Sequence, residues 1–239
     1  MLEEKTRQVL KTLTSINKKM IFTYPRMVVK KGNHIQAFLD LDKIGEAEFK
    51  EFGMYDFSDF TNSIAMDKKP IITSEDIGNG KQVLKITDSV TNGITKYVTS
   101  DMEMLEAGDC RGKLDLPDRL LNPERNTKVL EFEITRDQFD IIRKKARHFK
   151  MTEMIIKANE EGITLGVKGV QKSTNDYNIT FEGDVIENIE LTLDIDLVDL
   201  LPLGAYKIII VKSQKGTPMP MFISTTIDGL VISMARKVV

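Results

Sequence analysis

Nine cations fall in two short segments, Lys5, Arg7, Lys11 and Lys18 near the start and Arg136, Arg143, Lys144, Arg147 and Lys150 past the middle. At helical spacing Arg7, Lys11 and Lys18 share one face, and Arg136, Arg143, Arg147 and Lys150 share another. Rows of Lys and Arg attract phosphates through charge alone and so hold a polyanion without reading its sequence. No aromatic residue shares the polar faces that carry these cations, which argues against stacking on the bases of a single strand. Neither segment has the Asn, Gln and Arg set that reads base edges in a groove. What remains is sequence-independent attraction to the phosphates of a polyanion.

Other chemistry finds little support. His34 and His148 stand far apart, and neither has a second candidate at ligand spacing. Asp40 with Asp42, and Asp194 with Asp196, each share a strand face, but a hard cation needs more oxygen ligands than either pair offers. There is no Gly-rich phosphate loop with its lysine, no nucleophile elbow and no zinc-ligand spacing. The reading is a binding protein with no catalytic residue, no metal and no cofactor. The single cysteine, Cys110, fits a reducing compartment.

The elements that must carry the cations come next. Glu3–Lys19 reads as an amphipathic helix with Val9, Leu13 and Ile16 on its apolar stripe, and Thr135 caps a second running to about Lys150, with Phe139, Ile142, Ala146 and Phe149 inward. The two segments carry net charges of +3 and +4, which leaves −9 for the rest of a chain whose total is −2. Positive charge is thus confined to selected surfaces of an otherwise acidic protein. The chain has 239 residues, room for two domains, and no apolar run long enough to span a membrane. Glu3, Glu4, Lys5 and Arg7 at the start also leave no apolar signal core.

An internal repeat organises these elements. A basic helix opens each half, followed by an apolar strand, Met27–Lys30 and then Met154–Lys157. Further on, Asp56-Phe57-Ser58-Asp59-Phe60 is echoed by Asp196-Leu197-Val198-Asp199-Leu200. Alternating apolar residues and Gly/Asn turns predict antiparallel strands through both halves, with short helices at Tyr55–Ala65 and Asp196–Leu201. The predicted layout is α+β: an N-terminal domain over 1–105, a connector over 106–127 rich in Gly, Pro and charge, and a C-terminal domain over 128–239.

Read together, the chain resembles the sliding clamps of T4-like bacteriophages, a branch of the PCNA-like clamps. Val9-Leu10-Lys11 through Ile16-Asn17 resembles that family's first helix, Tyr55-Asp56-Phe57-Ser58-Asp59-Phe60 its Tyr-Asp-Leu-x-x-Phe segment, and Leu203-Gly204-Ala205-Tyr206-Lys207 its Pro-Gly-x-Tyr-Lys turn. Leu203 stands where the family often has proline, with Pro202 beside it. The resemblance implies the DNA-clamp fold, a ring-shaped homotrimer whose helices line a central hole and whose antiparallel sheets lie outside. It implies a processivity factor for a replicative DNA polymerase, placed on DNA by an ATP-dependent clamp loader, with late-transcription factors as further partners. The setting it implies is the cytoplasm of an infected bacterium.

Two contact sets follow from that reading. The edges bearing Ile94, Lys96 and Val98, and Tyr177, Ile179 and Phe181, are expected to pair head-to-tail between subunits, because an unpaired edge is otherwise a liability. A client tail is expected in a pocket lined by Ile44, Met102, Met104, Leu105, Val231 and Met234, where methionine adapts to several partners. Two alternatives stand beside the ring: a monomeric polymerase accessory factor of the same fold holding DNA on one face, and a structural assembly protein that binds no DNA.

Overall fold

Val9, Leu10 and Leu13 recur at helical spacing and give α1 (Glu4–Leu13), with all three side chains buried. The helix stops six residues short of the predicted Lys19. The hydroxyls of Thr12, Thr14 and Ser15 donate to the carbonyls of Gln8, Lys11 and Thr12, so side chains compete with the backbone and the chain tightens into turns. The computed structural model describes residues 4–43, 51–67, 70–107, 115–169 and 176–237, without the side chains of 4–6 and 106–107. Contacts divide the chain into two units: Met1–Gly32 with Gln36–Leu114, and Asn33–Ile35 with Asp115–Val239.

In the first unit, β1 (Met20–Phe22) precedes β2 (Arg26–Lys31), which contains the predicted strand Met27–Lys30, with a cis Tyr24–Pro25 bond between them. β3 (Ile35–Asp40) lies beside β2. β4 (Phe52–Met54) pairs antiparallel with β1 and leads into α2 (Phe57–Met66), which packs on α1. Asp56 caps α2 by accepting from the Ser58 N–H, as its position predicts. β5 (Pro70–Gly78), β6 (Lys81–Asp88) and β7 (Ile94–Val98) form a three-stranded meander, and α3 (Met102–Ala107) follows. Phe22, Phe52, Phe57 and Phe60 make a continuous aromatic core, with Phe22 and Phe52 stacked at 5.0 Å and Phe57 edge-on to Phe60 at 5.2 Å.

The second unit opens with α4 (Leu116–Leu121), whose Leu116 and Leu120 are buried. It lies within the connector expected over 106–127, where apolar residues at i and i+4 seat a short helix despite the surrounding Gly and Pro. β8 (Asn126–Ile134) leads to α5 (Arg136–His148), closed at its start by a capping box between Thr135 and Gln138. α5 also ends early. The Met151 N–H donates to the Ala146 carbonyl and Lys150 takes φ 52°, a Schellman-type stop on a non-glycine residue. β9 (Glu153–Asn159), β10 (Gly162–Lys168), β11 (Tyr177–Phe181) and β13 (Ile189–Asp194) form one sheet in the order β11-β10-β9-β13. β12 (Gly183–Val185), β8, β14 (Tyr206–Ser213), β15 (Pro218–Ser224) and β16 (Leu230–Met234) are consecutive neighbours in another. α6 (Ile195–Val198) sits between β13 and β14. Tyr206 is fully buried between Phe139 and Phe222, and its hydroxyl donates to the Pro202 carbonyl.

The two units repeat one scheme, but in a different register from the one the sequence suggests. In each, the strand after the first helix pairs antiparallel with the strand that leads into the second helix: β1 with β4, and β9 with β13. In each, the first N–H of the second helix donates back to the carbonyl just before that strand, Phe57 to Lys18 at 2.8 Å and Ile195 to Thr152 at 3.1 Å. Met20, not Met27, therefore matches Met154. The cap matching Asp56 is Asp194, which accepts from the Asp196 N–H, rather than Asp196 itself.

On β8, Glu131 bonds Lys207 of β14 and Lys128 at 2.9 Å, and these two ammonium groups, Lys207 first, hold its carboxyl below the usual range. A lowered folded pKa stabilises the fold above the unfolded value and is lost as pH falls through the folded one. Glu131→Gln should therefore lower stability by about 1 kcal/mol at pH 7. The deficit should shrink below about pH 4.5 and vanish in stronger acid, read from urea midpoints across a pH series.

Candidate nucleic-acid interface

The nine cations proposed from sequence separate into distinct groups. Arg7 on α1 is half-buried and donates its Nη1 to the carbonyls of Ile64 and Asp67, both at 2.7 Å. Those groups close α2, where carbonyls lack helical partners and the helix dipole is negative. Arg143 on α5 does the same for α6. Its Nη2 donates to the Asp199 carbonyl at 2.7 Å, its Nη1 to the Leu201 carbonyl at 2.9 Å and its Nε to Asp199 Oδ1 at 2.9 Å. Its side chain is 11% exposed and its guanidinium lies 5.6 Å from the centre of the Phe139 ring. Arg7 and Arg143 are thus helix ties and not open phosphate contacts. Charge patterning cannot separate the two uses, because a cation beside an apolar stripe reads the same in either.

Five of the remainder face solvent. Lys11, Arg136 and Lys150 are exposed and make no ion pair among the described residues. Lys144 is 71% exposed and meets Asp140 one turn earlier at 2.5 Å, and Lys18, beyond the end of α1, lies 3.9 Å from Asp56. Pairs this exposed contribute little and leave their cations free to exchange partners. Arg147 is intermediate. It is 58% exposed, yet donates from Nε and Nη2 to the two oxygens of Asp199 at 3.0 and 3.2 Å. Lys5 belongs to α1, but its side chain lies outside the described residues.

Sequence reasoning missed Asp199 as the partner of two arginines, although the repeat had singled it out; its contacts cross more than fifty positions. It also missed Lys145, which is exposed and stands 5.7 Å from the Phe149 ring and 5.6 Å from the Tyr177 ring, held by cation–π contact. Phe149 is correspondingly 38% exposed, not the inward residue its spacing suggests.

The contact sets fare differently. β7 has β6 as its one neighbour in its sheet, and Ile94 and Val98 are 62% and 65% exposed beside exposed Lys96. Among the described residues β11 likewise has β10 alone beside it in its sheet, with Tyr177 and Ile179 half-buried. Phe181 departs from the expectation: it is buried against Phe132 at 5.2 Å, because the chain turns there from one sheet of the unit to the other. Of the pocket residues, Ile44 lies outside the described residues. Leu105 is buried on Ile21 with Met102 against it, and Val231 and Met234 are buried on β16. These are packed positions rather than open walls. Met104 is exposed.

The sequence matches no protein-family model, and no curated protein matches it. Solved structures do. Over 98% of this chain and 96% of the other, the fold is similar to that in the PCNA2–PCNA3 complex from Sulfolobus tokodaii, with a TM-score of 0.62 and 10% identity. The chain has a PCNA-like clamp fold. At such low identity the similarity carries architecture, not the roles of particular side chains. Within this clamp fold the exposed cations Lys11, Arg136, Lys144, Lys145, Arg147 and Lys150 belong to, or directly follow, the first helix of each repeat.

Replacing Arg143 by Gln should remove the charged donor of α6 and leave Asp199 with one partner. A loss of about 2–4 kcal/mol is expected, seen as a lower melting temperature, whereas Lys144→Gln should melt within a degree or two of the parent.

Proposed function

We propose that the chain is a subunit of a DNA sliding clamp that encircles duplex DNA without sequence preference and tethers a replicative polymerase. The observation that carries this reading is the PCNA-like fold along nearly the whole chain. Support comes from the exposed cations on and just beyond α1 and α5 and from the acidic balance elsewhere. Weak contacts spread over many phosphates resemble one another at every step, so they retain DNA with little barrier to sliding. A tether of this kind raises the local concentration of a polymerase at the primer end and needs no catalytic group, metal or cofactor.

The motifs Tyr55–Phe60 and Leu203–Lys207 favour the T4-like phage branch. That assignment brings with it a homotrimeric ring, an ATP-dependent loader, late-transcription factors as further partners and the cytoplasm of an infected bacterium. The exposed apolar edge at Ile94 and Val98 suits pairing with the β11 edge of a second copy, a head-to-tail contact that closes after three.

Mass in solution, with and without nicked circular DNA, tests the assembly. A trimer is expected, and Ile94→Asp with Val98→Asp should dissociate it without unfolding the chain, since both side chains are already exposed. A parent that runs as a monomer would favour the one-face accessory factor.

Retention tests the topology. Moderate salt should strip the parent from linear DNA far faster than from closed circles. Lys11→Glu, Arg136→Glu and Lys150→Glu together should impair loading onto DNA and processive synthesis while leaving trimer mass intact. Equal loss from linear and circular DNA would show binding as a patch.

A further inference from the structure

The two repeats offer equivalent positions with different chemistry. Arg7 and Arg143 each tie down the second helix of their unit, and one turn later stand Lys11 and Arg147. Counted from the caps Asp56 and Asp194, the residue matching Asp199 is Thr61, which is buried and bonds the Ser58 carbonyl. The first unit therefore has no carboxylate where the second has one. We propose that Asp199 is a positioning residue that holds the Arg147 guanidinium as a fixed, outward phosphate contact, while Lys11 supplies a mobile one. This rests on the clamp reading above and adds to it an inequality between the repeats.

The geometry supports a fixed cation. Asp199 Oδ1 accepts from Arg143 Nε, and Arg143 is itself pinned by two backbone carbonyls. The carboxylate cannot swing away without breaking that bond. Its Oδ2 and Oδ1 take the side edge of Arg147, Nε at 3.0 Å and Nη2 at 3.2 Å. Two of the five guanidinium N–H groups are engaged, so Nη1 and the second Nη2 hydrogen form an outer edge open to another anion. Two guanidinium groups against one carboxylate leave a net positive charge, and Arg147 remains 58% exposed. Rotamer freedom that a loose side chain would lose on meeting phosphate is already lost on folding. Lysine at position 147 would keep the charge and lose the fork.

The test is equilibrium binding of a short duplex by the full-length protein, followed by fluorescence anisotropy over a salt series. Arg147→Lys should bind about three- to tenfold more weakly at an unchanged salt slope, because the charge persists and the orientation does not. Arg147→Gln should also lower the slope by about 0.9 for each phosphate no longer neutralised, and Lys11→Gln should show a similar slope change with a smaller loss of affinity. Asp199→Asn removes a negative charge, so charge alone requires tighter binding; positioning requires weaker binding. Melting temperatures of all four variants identify any that unfold, and Arg147→Lys leaves the Arg143–Asp199 pair in place. Binding by Arg147→Lys equal to the parent, or tighter binding by a folded Asp199→Asn, overturns the inference and leaves the clamp reading standing. A parent with no affinity for the short duplex at low salt also overturns the inference, whereas the clamp reading is decided separately by retention on closed circles.

Discussion

Each unit depends on tying down a short second helix at both ends. α6 has four residues and α2 has ten, lengths at which a helix is unstable without tertiary contacts. The start of each is held by an aspartate cap and by a backbone bond to the carbonyl before the strand that follows the first helix. The end of each is held by an arginine from the first helix, which supplies donors to carbonyls that the helix cannot satisfy itself. Without either arginine, those carbonyls would lose their charged donor. The apolar stripes of α1 and α5 and the aromatic clusters beneath them are then packed against a fixed neighbour, which is what lets the same scheme recur on different side chains.

That constraint redistributes the positive charge. Charge in the sequence suggests two matched rows of phosphate-seeking residues, but the innermost member of each row, Arg7 or Arg143, has its guanidinium on the protein backbone. What remains for a polyanion is sparser and more varied: exposed lysines and an arginine at Lys11, Arg136 and Lys150, a weakly paired Lys144, an aromatic-held Lys145 and a carboxylate-held Arg147. Sparse, exposed, individually weak cations suit a surface that must attract DNA without fixing its register. They are also the positions where substitution can probe binding apart from folding.

A 10% identity over nearly a full chain shows how little of the clamp fold resides in particular side chains. Layers of alternating apolar residues, turns at the right spacing and helices with one buried stripe are satisfied by many sequences, as cores tolerate changed residues when volume and pattern are kept. The places where this chain is least free include glycines packed closely against a neighbouring side chain or backbone. A Cβ at Gly53 would stand 2.2 Å from Leu105 Cδ1, and one at Gly183 would stand 2.3 Å from the Glu131 carbonyl. Those glycines join neighbouring segments where no other residue type fits without displacement.

Local order was legible in the sequence. Antiparallel strands run through both halves as alternation predicts, Asp56 caps α2, and Thr135 caps α5, because alternation and capping act within a few residues. The existence of two repeats was legible as well, since basic helix, apolar strand and Asp-capped helix recur in order. Their register was not, and neither was the division of the cations into ties and open contacts. Met20 replaces Met27 and Asp194 replaces Asp196 as matched positions, and Arg7 and Arg143 leave the set of open cations. Each of those facts turns on a contact between residues tens of positions apart, such as Arg7 with Ile64 or Arg143 with Asp199. A guanidinium goes wherever the most electronegative unsatisfied oxygens lie, and only the folded chain determines which carbonyls those are.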